Sequence, residues 1–275
     1  MVKVHLILII LLAACFNARS QNTGKYMDTT QVEATHDTIV RMKIDIWSDI
    51  MCPFCYIGKR QLEEALREFP GRDEVELVWH SYQLDPDLKT QPGKDLYGYL
   101  AERKGQTREW SVRMHQHVMQ QAKQVGLTYN FDNAVVANSF HAHRLIHLAQ
   151  KHHLGNEAEE RLFKAYFTDG EDIGNFTTLL RLGIEIGLDS EEVTRMLSGN
   201  EFAAQVRNDG REAADLGAKG VPFFVVNQRY AISGAQGSKV FLEMLENSFD
   251  EWKKDKLFSS PTGTGGVCEP GKECN

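Results

Sequence analysis

The feature that most constrains the fold is a strand–helix–strand pattern between residues 43 and 80. Residues 43–47 alternate charged and apolar side chains, as a half-buried strand does. Residues 54–69 carry apolar residues at near-helical spacing and stop at a Pro-Gly pair, and residues 74–80 alternate again. Two strands joined by a helix lie parallel in one sheet, so we predict a βαβ opening with Cys52 where the first strand meets the helix.

The remaining chain is predicted to be helical in the middle and to end in two strands and a helix. The candidate helices cover residues 95–103, 107–125, 133–152, 157–168, 175–186 and 190–197. Strands return at 223–226 and 230–233, joined by a tight hairpin. A last amphipathic helix is expected from about residue 237 to 252. The order of elements predicts an α/β protein.

The first 20 residues have the pattern of a signal peptide. A seven-residue apolar run follows Lys3 and is too short to span a bilayer, and the sequence Leu-Ala-Ala before Cys15 resembles a bacterial lipoprotein cleavage site. Cys15 would then become an acylated N-terminus that attaches the protein to a membrane. An ordinary secretory signal cut after Ala18 or Ser20, or a cytoplasmic start at Met42, are the alternatives.

The polar residues 21–42 are expected to form a tether between this leader and the folded domain. Either signal-peptide interpretation places the mature protein outside the cytoplasm, in the periplasm. The chain has 31 Lys and Arg against 38 Asp and Glu, a net charge of −7, without a basic run. Because nucleic-acid binding depends on clustered cations, a nucleic-acid partner is not expected.

Five cysteines are too few for a disulfide framework in 275 residues, so they are expected to carry chemistry or attachment. Cys52 and Cys55 form a Cys-x-x-Cys pair at the predicted start of a helix. There, the helix macrodipole favours a thiolate, so Cys52 is predicted to be the nucleophile and Cys55, one turn further on, the resolving thiol. An inert disulfide, or a zinc site that also uses Cys268 and Cys274, are the alternatives.

Three segments resemble the DsbA family of thioredoxin-fold proteins, in its FrnE-like branch, which is related to the 2-hydroxychromene-2-carboxylate isomerases. They are WSDIMCPFCYIG (residues 47–58), GVPFF (residues 220–224) and SGAQ (residues 233–236). The resemblance implies a thioredoxin fold (βαβ…ββα) with a large all-helical insertion. Residues 43–85 and 217–255 would form the thioredoxin-like domain, and residues 86–216 the insertion.

The resemblance also implies where a substrate is bound. Pro222 would be cis and face the active cysteines, exposing the Val221 backbone to a substrate chain, with Phe54 in the same apolar cleft. The expected function is disulfide exchange on the thiols of exported proteins, with a redox partner protein or glutathione and without a cofactor or a metal. The alternatives are a glutathione-dependent isomerase or transferase, which usually has Ser in place of the first cysteine, and a non-catalytic, membrane-tethered chaperone.

Residues 256–275 have the composition of a flexible tail that ends in Cys268 and Cys274. This pair resembles the second cysteine pair of some FrnE-like proteins, and it either exchanges with Cys52 and Cys55 or closes a local loop. His141 and His143 point in different directions on a helix, so both are expected on an exposed surface and not in a metal site. Asp49 is a candidate for tuning the thiols.

Overall fold

A four-stranded mixed sheet forms the centre of the computed structural model, which describes residues 40–259. The strands are β1 (Met42–Ser48), β2 (Val75–Ser81), β3 (Phe223–Val226) and β4 (Tyr230–Ser233). Their order is β2-β1-β3-β4, with β1 parallel to β2 and antiparallel to β3. The predicted α/β thioredoxin fold is thereby confirmed. Cys15, Cys268 and Cys274, like the predicted signal peptide and the cysteine tail, lie outside the described residues.

Nine α-helices surround the sheet in the part of the chain that the structure describes. They are α1 (Pro53–Glu68), α2 (Leu96–Lys104), α3 (Arg108–Gln124), α4 (Phe140–Lys151), α5 (Gly155–Lys164), α6 (Phe176–Glu185), α7 (Ser190–Ser198), α8 (Ala203–Asp215) and α9 (Ser238–Ser259). A 3₁₀ turn (Arg72–Glu74) precedes β2, and a π-helical turn (Ala165–Asp169) continues α5. Within residues 40–259, no helix combines the length and the apolar character that a membrane crossing requires.

Alternate side chains of the strands face two different helical layers. Ile44 and Ile46 of β1 are fully buried in the main core, which also contains α1 and α9. Trp47 and Phe223 belong instead to a smaller cluster with Ala213 of α8 on the opposite side. The sheet is therefore covered on both faces, and β1 lies at its centre.

The helical region joins α1 through stacked aromatic rings. Tyr56 of α1 stacks on Phe163 at 4.8 Å between ring centroids, and Tyr129 stacks on Phe167 at 4.6 Å. The Tyr56 hydroxyl donates to Glu160 Oε1 at 2.6 Å, and Arg60 and Lys59 of α1 also bond to the Glu160 carboxylate. Burial raises the Glu160 pKa, but the Arg60 hydrogen bond, the Lys59 charge and the Tyr56 hydrogen bond together outweigh burial and lower this pKa to about 2.

Three helical predictions differ from the structure. Residues 133–139 are not part of α4, because this segment crosses to an isolated bridge between Gln91 and Val136. The sequence pattern does not predict helix α8, because its buried side has only one large apolar residue, Val206, beside Ala203, Asp209 and Ala213. Helix α9 continues past the buried Trp252 to Ser259, so the helix includes the first residues of the predicted tail.

Two observations concern the predicted division of the chain. Met42, assigned to the tether, is the first residue of β1 and is fully buried. Helix α8 lies within residues 86–216, the predicted insertion, yet it packs on β2 of the sheet. The division of the chain into a thioredoxin-like domain and an insertion otherwise stays a prediction.

Glu159 of α5 is a buried carboxylic acid next to the contact between α1 and the helical region, and its Oε2 atom has no hydrogen-bond partner. Burial raises the pKa of Glu159 to about 8, although the charge of Lys59 lowers it. Between pH 4.5 and 8 the unfolded chain therefore releases this proton while the folded protein keeps it. Stability falls across this range, and the full contribution is present only below it.

We expect Glu159→Gln to remove the loss of folding stability between pH 4.5 and pH 8. The variant's free energy of unfolding should exceed that of the wild type by an amount that grows from pH 4.5 to pH 8, reaching on the order of 4 kcal/mol. Urea unfolding at half-unit pH steps measures it, with the exposed Glu246→Gln as the matched control. A difference between variant and wild type that is constant with pH would contradict the assignment.

Candidate active site

Cys52 is the N-cap residue of α1, and Pro53 follows as the first helical residue. The Cys52 amide donates to the Asp49 carbonyl at 2.9 Å, which closes a turn between β1 and the helix. The first turn of α1 contains no acidic residue and no side chain caps it. The positive end of the helix macrodipole therefore acts on the Cys52 sulfur without competition from a carboxylate in that turn.

Cys55 lies behind Cys52, one helical turn further on. Its amide donates to the Cys52 carbonyl at 3.0 Å, and its side chain is 1% exposed. Both cysteines are free thiols. Burial, followed by the neighbouring Cys52 sulfur, raises the pKa of Cys55 well above its usual value. Cys55 is therefore the protonated, protected thiol of the pair.

The segment before β3 faces the Cys52 sulfur. The Val221–Pro222 peptide bond is cis, as the family resemblance implies, and Cys52 Sγ lies 3.5 Å from the Val221 carbonyl oxygen. Pro222 rests on Gly58 of α1, where an added Cβ would come within 3.0 Å of Pro222 Cγ. A glycine at position 58 thus allows the proline to sit close to the helix that carries both cysteines.

An apolar cavity of about 330 Å³ opens beside the cysteines. Cys52 and Phe54 form one side of it, and half-buried Phe54 packs against the main core. Helices α2 and α3 supply the facing wall with side chains that include Tyr99, Trp110 and Met114. Cys52, Phe54, Val221 and Pro222, the residues predicted for the site, therefore lie close together near the start of α1.

The structure adds residues that the sequence did not indicate. The hydroxyl of Tyr129, from the helical region, donates a hydrogen bond to the Pro53 carbonyl at 2.7 Å and so fixes the start of α1. Glycine at position 58 and the cavity wall were also missed, because their roles depend on contacts far apart in the chain. Gly58 is the last residue of the segment at 47–58 that resembles the DsbA family, and this resemblance was the local signal that could have identified it.

Asp49 holds the loop with its side chain, and its backbone hydrogen bond lowers the Cys55 pKa, against the larger effect of burial. Its carboxylate is fully buried and accepts hydrogen bonds from the Met51 amide at 3.2 Å and the Leu84 amide at 2.7 Å. His143 Nε2 lies 3.4 Å from the same carboxylate and is buried, so the predicted exposed position of His143 is wrong. The reason is that α4 packs this side chain inward against the loop before Cys52. His141, two residues earlier, is half-buried.

Residues 43–246 match the family model of the DSBA-like thioredoxin domain. The chain belongs to the DsbA-like thioredoxin family. This family consists of oxidoreductases and isomerases, which agrees with a Cys-x-x-Cys pair facing a cis-proline.

Known proteins with similar sequences or structures support the assignment. Over 222 residues the chain is 30% identical to the uncharacterized protein YwbO of Bacillus subtilis (strain 168), covering 77% of this chain and 98% of that protein. The probable DsbA oxidoreductase SCO1869 of Streptomyces coelicolor has a similar crystal structure, with 37% identity, a TM-score of 0.72 and coverage of 77% and 91%. A 2-hydroxychromene-2-carboxylate isomerase shares the fold, with 13% identity, a TM-score of 0.54 and coverage of 79% and 98%.

We expect the two thiols to differ in reactivity. In the reduced native protein at pH 7, iodoacetamide should modify Cys52 at least about tenfold faster than Cys55, because each unit of raised pKa reduces the thiolate fraction about tenfold. Peptide mapping by mass spectrometry distinguishes the two sites. In denaturant the rates should become equal, and equal rates in the native protein would contradict the predicted roles.

Proposed function

We propose that the protein is a thiol-disulfide oxidoreductase that exchanges disulfides with the thiols of exported proteins. The observation that carries this proposal is the position of Cys52 Sγ, at the start of α1 and 3.5 Å from the Val221 carbonyl, with Cys55 buried behind it. Cys52 lies beside the cavity and the Val221 backbone, where a client can bind. Cys55 lies one turn further on and attacks only after Cys52 has reacted. Exchange through two sequential attacks needs this asymmetry.

In the reducing direction, the Cys52 thiolate attacks one sulfur of a client disulfide. A bond forms between Cys52 Sγ and that sulfur, and the other client sulfur leaves as a thiolate that takes up a proton. Cys55 then loses its proton and attacks Cys52 Sγ, which releases the client thiol and leaves a Cys52–Cys55 disulfide. The oxidising direction is the reverse, so two electrons pass between the client and the pair in either case.

The Cys55 pKa explains the order of these steps. Part of the rise in this pKa comes from the neighbouring Cys52 sulfur. Once Cys52 is tied up in a mixed disulfide it no longer carries a negative charge, so this contribution disappears and Cys55 ionises more readily. The resolving thiol is thereby activated only after the client is attached.

The client is expected to bind as an extended chain beside Val221. The Val221 carbonyl lies 3.5 Å from Cys52 Sγ, so a client strand that pairs with the Val221 backbone would bring its sulfur next to Cys52. The apolar cavity next to Phe54 is large enough for a side chain that neighbours the client cysteine. Neither contact depends on one particular client sequence.

The setting of this activity is also part of the proposal. The signal-peptide pattern and Cys15 support a lipid-anchored protein of the periplasm, tethered through residues 21–42. In that compartment, Cys268 and Cys274 would pass disulfides between the Cys52–Cys55 pair and a redox partner protein or glutathione. The chemistry at the two cysteines requires no cofactor.

Serine variants test the mechanism. With a reduced, unfolded two-cysteine protein as substrate and glutathione disulfide as oxidant, Cys52→Ser should reduce turnover at least about 100-fold and form no adduct. Mixed in its reduced form with the disulfide form of the client and without glutathione, Cys55→Ser should keep a covalent adduct with the client at Cys52 that the wild type releases, visible on a non-reducing gel and by mass. Glu246→Gln, an exposed replacement on α9, is the matched control and should keep the wild-type turnover.

Other outcomes would refute the proposal in different ways. Full turnover by Cys55→Ser that depends on glutathione would favour an isomerase or transferase. Suppression of client aggregation by Cys52→Ser, without any exchange activity in the wild type, would favour a chaperone.

The anchor is tested separately. In a bacterial expression host, the wild-type chain should fractionate with membranes and carry an acylated Cys15, whereas Cys15→Ser should lose the acyl mass and leave the membrane fraction. A wild-type protein recovered in the cytoplasm, starting at Met1 or Met42, would overturn the proposed location but not the thiol chemistry.

A further inference from the structure

A second cluster of chemically active side chains lies away from the cysteines, where α8 crosses β2 on the far side of the sheet. One ligand atom from each of His80, Asp209 and Glu212 lies within 4.8 Å of the other two. His80 comes from β2, while Asp209 and Glu212 are one turn apart on α8. Residues three apart on a helix share one face, so both carboxylates point toward the strand.

The orientation of the His80 ring is fixed by two contacts. The ring stacks on Trp47 at 4.5 Å between centroids, with an angle of 16° between the planes. Its Nε2 lies 2.9 Å from Asp45 Oδ1. A carboxylate on one ring nitrogen is the arrangement that orients metal-binding histidines in proteins, because it directs the other nitrogen toward the ion. Here that other nitrogen is Nδ1, which faces Asp209 Oδ1 at 3.9 Å.

Asp209 is held in a similar way. Its Oδ2 accepts the Ser81 amide at 2.7 Å and lies 3.0 Å from His147 Nε2. The contacts on Oδ2 leave Oδ1 directed at His80 Nδ1. Asp209 is buried, whereas Glu212 is exposed and can move toward the other two ligands.

The spacing between His80 and Asp209 is that of a loose ion pair, and it is close to the spacing of two ligands on one ion. A distance of 3.9 Å is too long for a hydrogen bond. Two ligands that are each about 2.1 Å from a tetrahedral ion stand roughly 3.4 Å apart, so a small movement closes the site. Three carboxylates, those of Asp45, Asp209 and Glu212, surround the His80 imidazole. Burial lowers the His80 pKa, but the interactions with Asp209 and Asp45 outweigh it and raise this pKa to about 9, so a metal ion would bind here by displacing the ring proton.

We propose that His80, Asp209 and Glu212 bind a divalent transition-metal ion of the Zn²⁺ type. One imidazole and two carboxylates form a ligand set that zinc accepts, and the exposed side next to Glu212 leaves a coordination position for water. The ion would join α8 to β2, and so fasten the helix that covers the back of the sheet. It is not part of the thiol chemistry and does not rest on the proposed function.

Zinc titration of the full chain tests the site. Because thiolates also bind zinc, the protein is first oxidised, its remaining thiols are alkylated, and any bound metal is removed with a chelator. Isothermal titration with Zn²⁺ should then show one saturable site per chain, and Mg²⁺ should show none at the same concentration. Zn²⁺ should also raise the midpoint of thermal unfolding.

Glu212→Gln is the decisive variant, because the residue is exposed and its replacement leaves the contacts of Asp209 in place. We expect it to weaken zinc binding at least about tenfold and to reduce the thermal shift, with His80→Gln giving a similar loss of affinity. Glu246→Gln, an exposed glutamate on α9, should bind zinc like the wild type. Zinc affinity that is absent in the wild type, or equal in Glu212→Gln and Glu246→Gln, would show that the cluster is an ion-pair network only.

Discussion

Helix α1 is buried on two sides at once, and the position of every reactive group depends on this. Toward the sheet, Ile57, Leu62 and Ala65 fill the main core with β1 and α9. Toward the helical region, Tyr56 and Lys59 are also buried, although one is polar and the other charged. Polar and charged side chains are tolerated in the interior only with hydrogen-bond or ion-pair partners, and the Glu160 carboxylate is the partner of both. The helix therefore cannot shift against either neighbour, and Cys52 at its start is held in one place.

The contrast between the two thiols follows from this rigid placement. Both cysteines are buried and only three residues apart, yet Cys52 contacts the Val221 carbonyl and lines the apolar cavity, which Cys55 does not line. The helical region contributes directly, because Tyr129 bonds to the Pro53 carbonyl and α2 and α3 form the wall of the cavity. The surroundings of the cysteines are therefore formed both by the sheet and by helices α2 and α3, which lie between β2 and β3 in the sequence.

The sequence predicts the parts of this structure that are encoded locally. All four strands were predicted within one or two residues, because alternation of apolar residues is a short-range signal, and the Cys-Pro-Phe-Cys motif located the start of α1. Helix α8 and the inward position of His143 could not be predicted in the same way. In each case burial comes from a long-range partner, since α8 packs small and polar residues on the sheet, and His143 packs against Asp49. The same holds for the glycine under Pro222, whose importance appears only when the two segments are adjacent.

The π-helical turn at Ala165–Asp169 has a consequence for how chains of this kind can vary in length. This turn directly continues α5, and its Ala165, Tyr166 and Phe167 side chains are all buried. A π turn holds more residues than an α turn, and removal of one residue would rotate the following part by about 100°. Phe167 would then leave its stack with Tyr129, and the Phe167 carbonyl could no longer accept the Asn130 amide at 2.6 Å. Exposed loops tolerate changes in length. A deletion inside this turn would instead break the Tyr129–Phe167 contact, although the contacts of Phe163 and Glu160 with α1, which lie before the turn, would remain.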